Sequence, residues 1–70
     1  MNADTLVLRK EGHWFVVGAP PERSARQALV LSLLEHAEQR AFDIELGEVD
    51  RLALDLGWQV DWRRGYLGAA

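Results

Sequence analysis

Two runs of mainly apolar residues within residues 5–18 predict a β-hairpin. Residues 5–10 (TLVLRK) and 13–18 (HWFVVG) are rich in β-branched, aliphatic and aromatic side chains, and Glu11 and Gly12 separate the two runs. Two such runs with a short glycine-containing break are typical of antiparallel strands joined by a tight turn.

The second predicted strand has apolar side chains on both of its faces. Trp14 and Val16 form one alternating set, and His13, Phe15 and Val17 form the other. A strand of this kind is either central in its sheet and covered on both sides, or it turns one side toward a partner. The sequence leaves both alternatives open.

The next segment predicts a long helix that begins at about Glu22 or Ser24 and ends near Arg40. A pair of prolines ends the preceding strand and suits a first helical turn. Ser24 and Gln27 have the spacing of a capping box, in which each side chain bonds the backbone N–H of the other residue.

Apolar residues cover most of the circumference of this predicted helix. A helix that is apolar on most sides is buried on more than one side, so its second side is expected to face more of the same chain or a second subunit. The stripe with helical spacing comprises Ala25, Ala28, Leu29, Leu33 and His36. Four further residues widen that stripe, namely Val30, Leu31, Leu34 and Ala37.

Residues 41–57 (AFDIELGEVDRLALDLG) predict a second helix. Asp43 is the predicted N-cap, and Gly57 stands where a helix stop is expected. The start of this helix is ambiguous, because the preceding apolar residues alternate as in a short strand. The alternating residues are Phe42, Ile44 and Leu46, and the helical face comprises Val49, Leu52, Ala53 and Leu56.

Residues 58–62 predict a half-buried third strand, with Trp58, Val60 and Trp62 pointing inward and the residues between them pointing outward. The complete order is β-β-α-α-β. It predicts an α+β fold in which a three-stranded antiparallel sheet packs on two helices, and the length of 70 residues predicts one domain over residues 1–70.

Composition excludes several classes of protein. A hydrophobic content of 49% and a charged content of 27% are those of a globular chain and not of a disordered one. The absence of cysteine excludes disulfides and thiolate metal sites. Small domains without such cross-links often gain stability by self-association, so a homodimer is expected.

Localisation is expected to be cytoplasmic, without membrane contact. The N-terminal residues lack a basic segment followed by an apolar one, so they do not resemble a secretory signal. The longest apolar run (ALVLSLLEHA) is interrupted by Ser32 and is too short for a membrane span.

The net charge of −3 is unevenly distributed along the chain. Residues 35–55 contain seven acidic and two basic residues, and the other six basic residues lie before and after this segment. An acidic surface repels phosphate, so a broad nucleic-acid interface is disfavoured. A localised basic contact stays open.

Few residues suit catalysis or metal binding. His13 and His36 are the only histidines, and neither has a serine beside it that would act as a nucleophile. Glu45, Glu48 and Asp55 are of types that bind divalent ions together with histidine, but their spacing matches no ligand motif. We expect a solvated helix face at these acids, no metal, no cofactor and no enzymatic activity.

Residues 57–68 (GWQVDWRRGYLG) concentrate aromatic and arginine side chains. Tryptophan, tyrosine and arginine are enriched in the hot spots of protein interfaces. Because Trp58 and Trp62 also fit the inward side of the third strand, a core role is the alternative for both. The residues predicted to contact a partner are Trp62, Arg63, Arg64 and Tyr66, with Trp14 or Phe15 from the hairpin beside them.

Residues 52–67 are also similar to the end of winged-helix DNA-binding domains, where a strand, a basic turn and a further strand follow the recognition helix. In this chain the helix ends in LGW, and the turn contains Arg63 and Arg64. The resemblance implies DNA contacts by this turn. The chain departs from that family in the helix itself (GEVDRLALDLG), which is acidic with Arg51 as its only base, whereas a recognition helix presents polar and basic side chains.

These features predict a small non-enzymatic module for protein–protein interaction that acts through an aromatic and arginine surface. Its partner is another protein, whose identity the sequence leaves open, or a second copy of the chain. Modules of this kind are common among accessory regulators, adaptors and inhibitors of bacteria and their phages. The alternative is a winged-helix-like DNA-binding regulator that uses Arg63 and Arg64.

Overall fold

The computed structural model describes residues 4–64, which form one antiparallel sheet with two helices packed on one of its faces. The predicted α+β fold and its β-β-α-α-β order are confirmed. The strands are β1 (Thr5–Lys10), β2 (His13–Gly18) and β3 (Gln59–Arg63); the helices are α1 (Arg23–Glu38) and α2 (Val49–Asp55), and a 3₁₀ turn (Leu46–Glu48) precedes α2.

β1 is the central strand of the sheet, and β2 and β3 pair with it on either side. Leu6 lies opposite Val17 on β2 and Trp62 on β3. Because directly opposite residues point to the same face of a sheet, the register defines the side that the helices cover. The side chains on this side are Leu6, Leu8, Phe15, Val17, Val60 and Trp62. The predicted inward orientation of Val60 and Trp62 is confirmed.

The core lies between this face of the sheet and the two helices. Leu6 and Leu8 of β1 are completely buried, and burial of a leucine side chain contributes about 1.5–3 kcal/mol. Trp58, predicted to begin the third strand, lies one residue before β3 and is buried in the same cluster. The other members of the cluster are Val30, Leu34, Val49 and Ala53.

Helix α1 meets the core through two leucines of the predicted stripe and through residues beside that stripe. Val30 and Leu34 are completely buried together with most of Gln27, whereas Ala28 and His36 are exposed. The predicted stripe was therefore wrong at Ala28 and His36. Because apolar residues surround this helix, spacing alone does not identify the side that meets the sheet.

The predicted capping box at the start of α1 is also wrong. The N-cap is Glu22, which makes no side-chain capping bond, and Ser24 already lies inside the first turn. Gln27 does not reach back to this turn, because its Nε2 donates to the backbone carbonyl of Leu46 at 3.2 Å. This bond connects α1 to the 3₁₀ turn.

The connection between the helices contains no strand, although its apolar residues alternate. Phe42 and Ile44 pack against the core from an irregular segment, and the backbone N–H of Phe42 donates to Glu35 Oε2 at 2.9 Å. Asp43 is not the cap of α2, whose N-cap is Glu48. The predicted stop is confirmed at Gly57, which follows the helix with a φ of +90° that favours glycine.

One carboxylate joins three parts of the fold. Oε2 of Glu38, at the end of α1, accepts hydrogen bonds from Trp58 Nε1 at 3.0 Å and from Lys10 Nζ at 3.1 Å. The Lys10 ammonium also lies 5.8 Å from the centre of the Trp58 ring. These two hydrogen bonds, the one from Trp58 first, hold the pKa of Glu38 below its ordinary value of 4.5.

Candidate functional site

The face of the sheet opposite the helices is the candidate surface, and we call it the open face. In β1 the open face is formed by Thr5, Val7 and Arg9, which alternate with Leu6 and Leu8. In β2 and β3 it is formed by the residues that lie opposite Thr5, Val7 and Arg9. Thr5 and Val7, in the central strand of this face, are buried, so its exposed residues lie mainly in β2 and β3. Its side chains are Thr5, Val7, Arg9, Trp14, Val16, Gln59, Asp61 and Arg63.

Trp14 is the largest apolar side chain on the open face, and 57% of it is exposed. Val16, the next residue of β2 on the same face, is 45% exposed. The Arg9 guanidinium lies 5.2 Å from the centre of the Trp14 ring, within the range of a cation–π contact. Arg9 Nε also donates to Gln59 Oε1 at 2.5 Å, so this arginine connects all three strands.

Arg63 lies on the open face at the corner diagonally opposite Trp14. Arg63 pairs with Thr5 at one end of β1, whereas Trp14 pairs with Arg9 toward the other end and on the other side of that strand. Arg63 Nε donates to Asp61 Oδ2 at 2.9 Å. Trp14 and the end of β3 are therefore separate parts of one face.

Phe15 belongs to the helix-covered side of β2 and is partly buried against the core. Its ring centre lies 5.9 Å from that of Trp58 and 6.4 Å from that of His36. Of the two hairpin aromatics predicted beside a partner, Trp14 is the exposed one. Phe15 contributes to packing between β2, the end of α1 and the start of β3.

Trp62 is half-buried on the same side as the helices. The Arg26 guanidinium of α1 lies 4.9 Å from the centre of its ring, and Arg26 is held by Asp4 Oδ2 at 2.6 Å and by the carbonyl of Pro20 at 2.7 Å. This arginine ties the start of α1 to β3. Trp62 is therefore part of the packing between α1 and the sheet, and it is also accessible from the groove described next.

A groove of about 600 Å³ is lined by four residues of β3, by two residues of α2 and by Trp58 and Arg9. Leu54 of α2, which is 71% exposed, forms part of its wall. The described residues that line the groove are Arg9, Asp50, Leu54, Trp58, Gln59, Val60, Asp61 and Trp62.

The five described residues among the six predicted contact residues lie in three places. Trp14 and Arg63 are on the open face, whereas Phe15 and Trp62 are on the helix-covered side. Arg64 follows β3 in an exposed bend. Tyr66 is outside the described residues. Trp62 and Arg63 are neighbours in β3 but project to opposite faces of the sheet, and Trp14 lies beside neither of them.

Sequence reasoning missed Arg9 as the arginine that accompanies Trp14. The hairpin pattern contained the signal, because a two-residue turn at Glu11 and Gly12 places Lys10 opposite His13 and hence Arg9 opposite Trp14. The contact between Arg9 and Gln59 had no comparable local signal, since the two residues are 50 positions apart in the sequence.

Helix α2, the counterpart of a recognition helix in the winged-helix resemblance, carries little positive potential. Its single base, Arg51, lies 3.7 Å from Asp55 one turn further along the helix. Among residues 4–64, no three His, Asp or Glu side chains are grouped closely enough to hold a metal ion. In this part of the chain, neither helix is long and apolar enough to cross a membrane.

Comparison with protein-family models, with curated proteins and with solved structures found no significant match to this chain.

Proposed function

We propose that the protein is a small protein-binding module whose contact surface is the open face, centred on Trp14. The observation that carries this proposal is the 57% exposure of Trp14 next to the exposed Val16. A partner that covered this tryptophan would remove a large apolar area from water, and tryptophan is one of the residue types enriched in interface hot spots.

The chemistry around Trp14 favours a protein surface as the partner. The apolar centre of this surface consists of Trp14 and Val16. The guanidinium of Arg9 lies beside it and is held in place by the Trp14 ring and by Gln59. Interface cores are enriched in aromatic residues and arginine, whereas small-molecule sites are concave. The open face is the surface of a sheet, and its exposed residues in β2 and β3 offer a broad area for a contact between proteins.

The test is affinity capture from the source cells with tagged wild-type protein and a Trp14→Ala variant, each with and without nuclease. We expect the captured protein to survive nuclease and to be lost in Trp14→Ala, while the melting temperature changes little because Trp14 is exposed. Leu46→Ala is the matched control, since Leu46 is a partly exposed apolar residue outside the open face. Equal capture by both variants would contradict the proposal.

A double variant, Arg63→Ala with Arg64→Ala, tests whether the contact extends to the end of β3. Loss of capture with an unchanged melting temperature and an unchanged oligomeric state would place these arginines in the contact together with Trp14. The same variant tests the DNA-binding alternative, in which capture disappears with nuclease and the affinity for duplex DNA falls steeply with salt as counterions are released.

A further inference from the structure

Among residues 4–64, β3 pairs with β1 at one edge only, and the groove described above lies beside its other edge. Gln59 and Asp61 project from the open face, whereas Val60 and Trp62 project toward the helices, yet all four line the same groove. Residues from both faces of a strand line one groove only when that groove runs along the edge of the strand. Within residues 4–64, no strand pairs with this edge.

We propose that a second copy of this chain pairs with this edge, β3 against β3 in antiparallel orientation, about a two-fold axis at Trp62. Alternate residues of an outer strand direct their backbone N–H and C=O groups away from the sheet, which makes the edge a template for another strand. The two sheets then form one continuous six-stranded sheet, with both pairs of helices on one side and both open faces on the other.

The charges of β3 select the chain itself as the occupant. In the register centred on Trp62, Asp61 lies directly opposite Arg63 of the second copy, and the two-fold axis repeats this contact. Asp61 already accepts a hydrogen bond from Arg63 of its own chain at 2.9 Å. In the dimer each carboxylate lies between two guanidiniums, so β3 is complementary to its own copy.

The alternation of side chains limits the other registers. A shift of the strand pairing by one residue would place apolar side chains of one copy on the open face of the other, so only shifts by an even number of residues are acceptable. If the two-fold axis lies at Asp61, the pairing is shifted by two residues and the faces stay aligned. This register places two carboxylates opposite each other, which is destabilising. The register centred on Trp62 avoids this repulsion.

Apolar surface beside the edge adds to the backbone pairing. Trp62 of one copy faces Trp62 of the other in the proposed register, and aromatic pairs across strands are favourable. Leu54, at 71% exposure, lines the same groove as Trp62. Burial of these side chains supplies the hydrophobic contribution that dimerisation of a small domain requires.

The test is sedimentation equilibrium of the full chain over a wide concentration range. Wild-type protein is expected to behave as a dimer of 7.9 kDa chains. Asp61→Arg or Arg63→Asp alone places like charges opposite each other twice, so each is expected to weaken dimerisation by about tenfold or more. A mixture of the two variants is expected to form heterodimers, because both cross-strand contacts are then between opposite charges.

Two controls separate edge pairing from general effects of charge. Asp55→Arg and Arg51→Asp make the same charge changes in an exposed ion pair outside the groove and are expected to leave the dimer unchanged. The double variant Asp61→Arg with Arg63→Asp keeps the complementarity in one chain and is expected to dimerise. Circular dichroism and thermal unfolding establish that each variant is folded.

A wild-type chain that stays monomeric at every concentration would overturn the proposal, as would a mixture of the single variants that fails to associate. The inference does not depend on the proposed function. Trp14→Ala is expected to dimerise like the wild type, because Trp14 lies on the outer strand at the other side of the sheet. Loss of partner capture without loss of the dimer therefore tests the open face alone.

Discussion

Glu11 and Gln39 are the two non-glycine residues in the described part of the chain with a positive φ, at +53° and +59°. The left-handed region costs an ordinary side chain about 1–2 kcal/mol, and asparagine and glycine adopt it most readily. Glu11 accepts this conformation because the turn between β1 and β2 has only two residues. The strain is local to the turn, since both paired strands continue on either side of it.

Replacement of Glu11 by asparagine is therefore expected to increase the free energy of unfolding by up to about 1 kcal/mol, because asparagine adopts a positive φ more readily than glutamate does. Urea denaturation of the wild type and of Glu11→Asn measures the change. Glu11→Gln is the matched control, since it removes the same charge without easing the backbone conformation. Equal stabilisation by both variants would assign the effect to charge.

At the scale of elements, α1 is stabilised by its packing and not by its N-terminus. Val30 and Leu34 anchor the helix in the core, whereas its N-cap residue, Glu22, makes no side-chain capping bond. The first turn contains no acidic residue and begins with Arg23, although the positive end of the helix dipole favours negative charge. Tertiary contacts thus compensate for a weak local start signal.

Glu22→Asp is expected to stabilise the protein by about 1 kcal/mol, because a side chain one methylene shorter can accept a hydrogen bond from a free N–H of the first turn. Thermal and urea unfolding measure the gain at constant net charge. Glu22→Gln does not provide a preferred capping residue and is expected to give no such increase. If Glu22→Asp leaves stability unchanged, the backbone at this N-cap does not permit capping.

At the scale of the whole molecule, Glu38 links the end of α1 to β1 and to the residue before β3. Its pKa is lowered by the bonds from Trp58 and Lys10. A carboxyl whose pKa is lower in the folded state contributes stability at pH values above its unfolded pKa. That stability is lost as the pH falls through the folded pKa, because the unfolded chain then binds the proton more readily.

The free energy of unfolding, measured with urea between neutral and acidic pH, is therefore expected to fall below about pH 4.5 in the wild type. In Glu38→Gln this loss of stability is expected to be smaller, because the variant lacks the titrating carboxyl group. At neutral pH this variant is expected to be less stable than the wild type, since the bonds to Lys10 and Trp58 are no longer charge-assisted on the acceptor side. Glu45→Gln, at an exposed residue, is the control. Identical pH profiles for wild type and Glu38→Gln would contradict this role.

The sequence by itself determined the elements, because periodicity and stop signals are local. Alternation of Val60 and Trp62 identified the inward side of β3, and Gly57 marked the end of α2. The two-residue turn at Glu11 also determines that Arg9 faces Trp14, although this pair was not predicted. In each case a short stretch contains the residues whose geometry decides the outcome.

Only the tertiary structure decided which apolar surfaces are covered. Helix α1 is apolar on most sides, so contact with the sheet alone distinguishes the buried Val30 from the exposed Ala28. Both faces of β2 are apolar, and the helices cover Phe15 while Trp14 stays exposed. These choices depend on how distant elements pack together, and no local pattern in the chain records that packing.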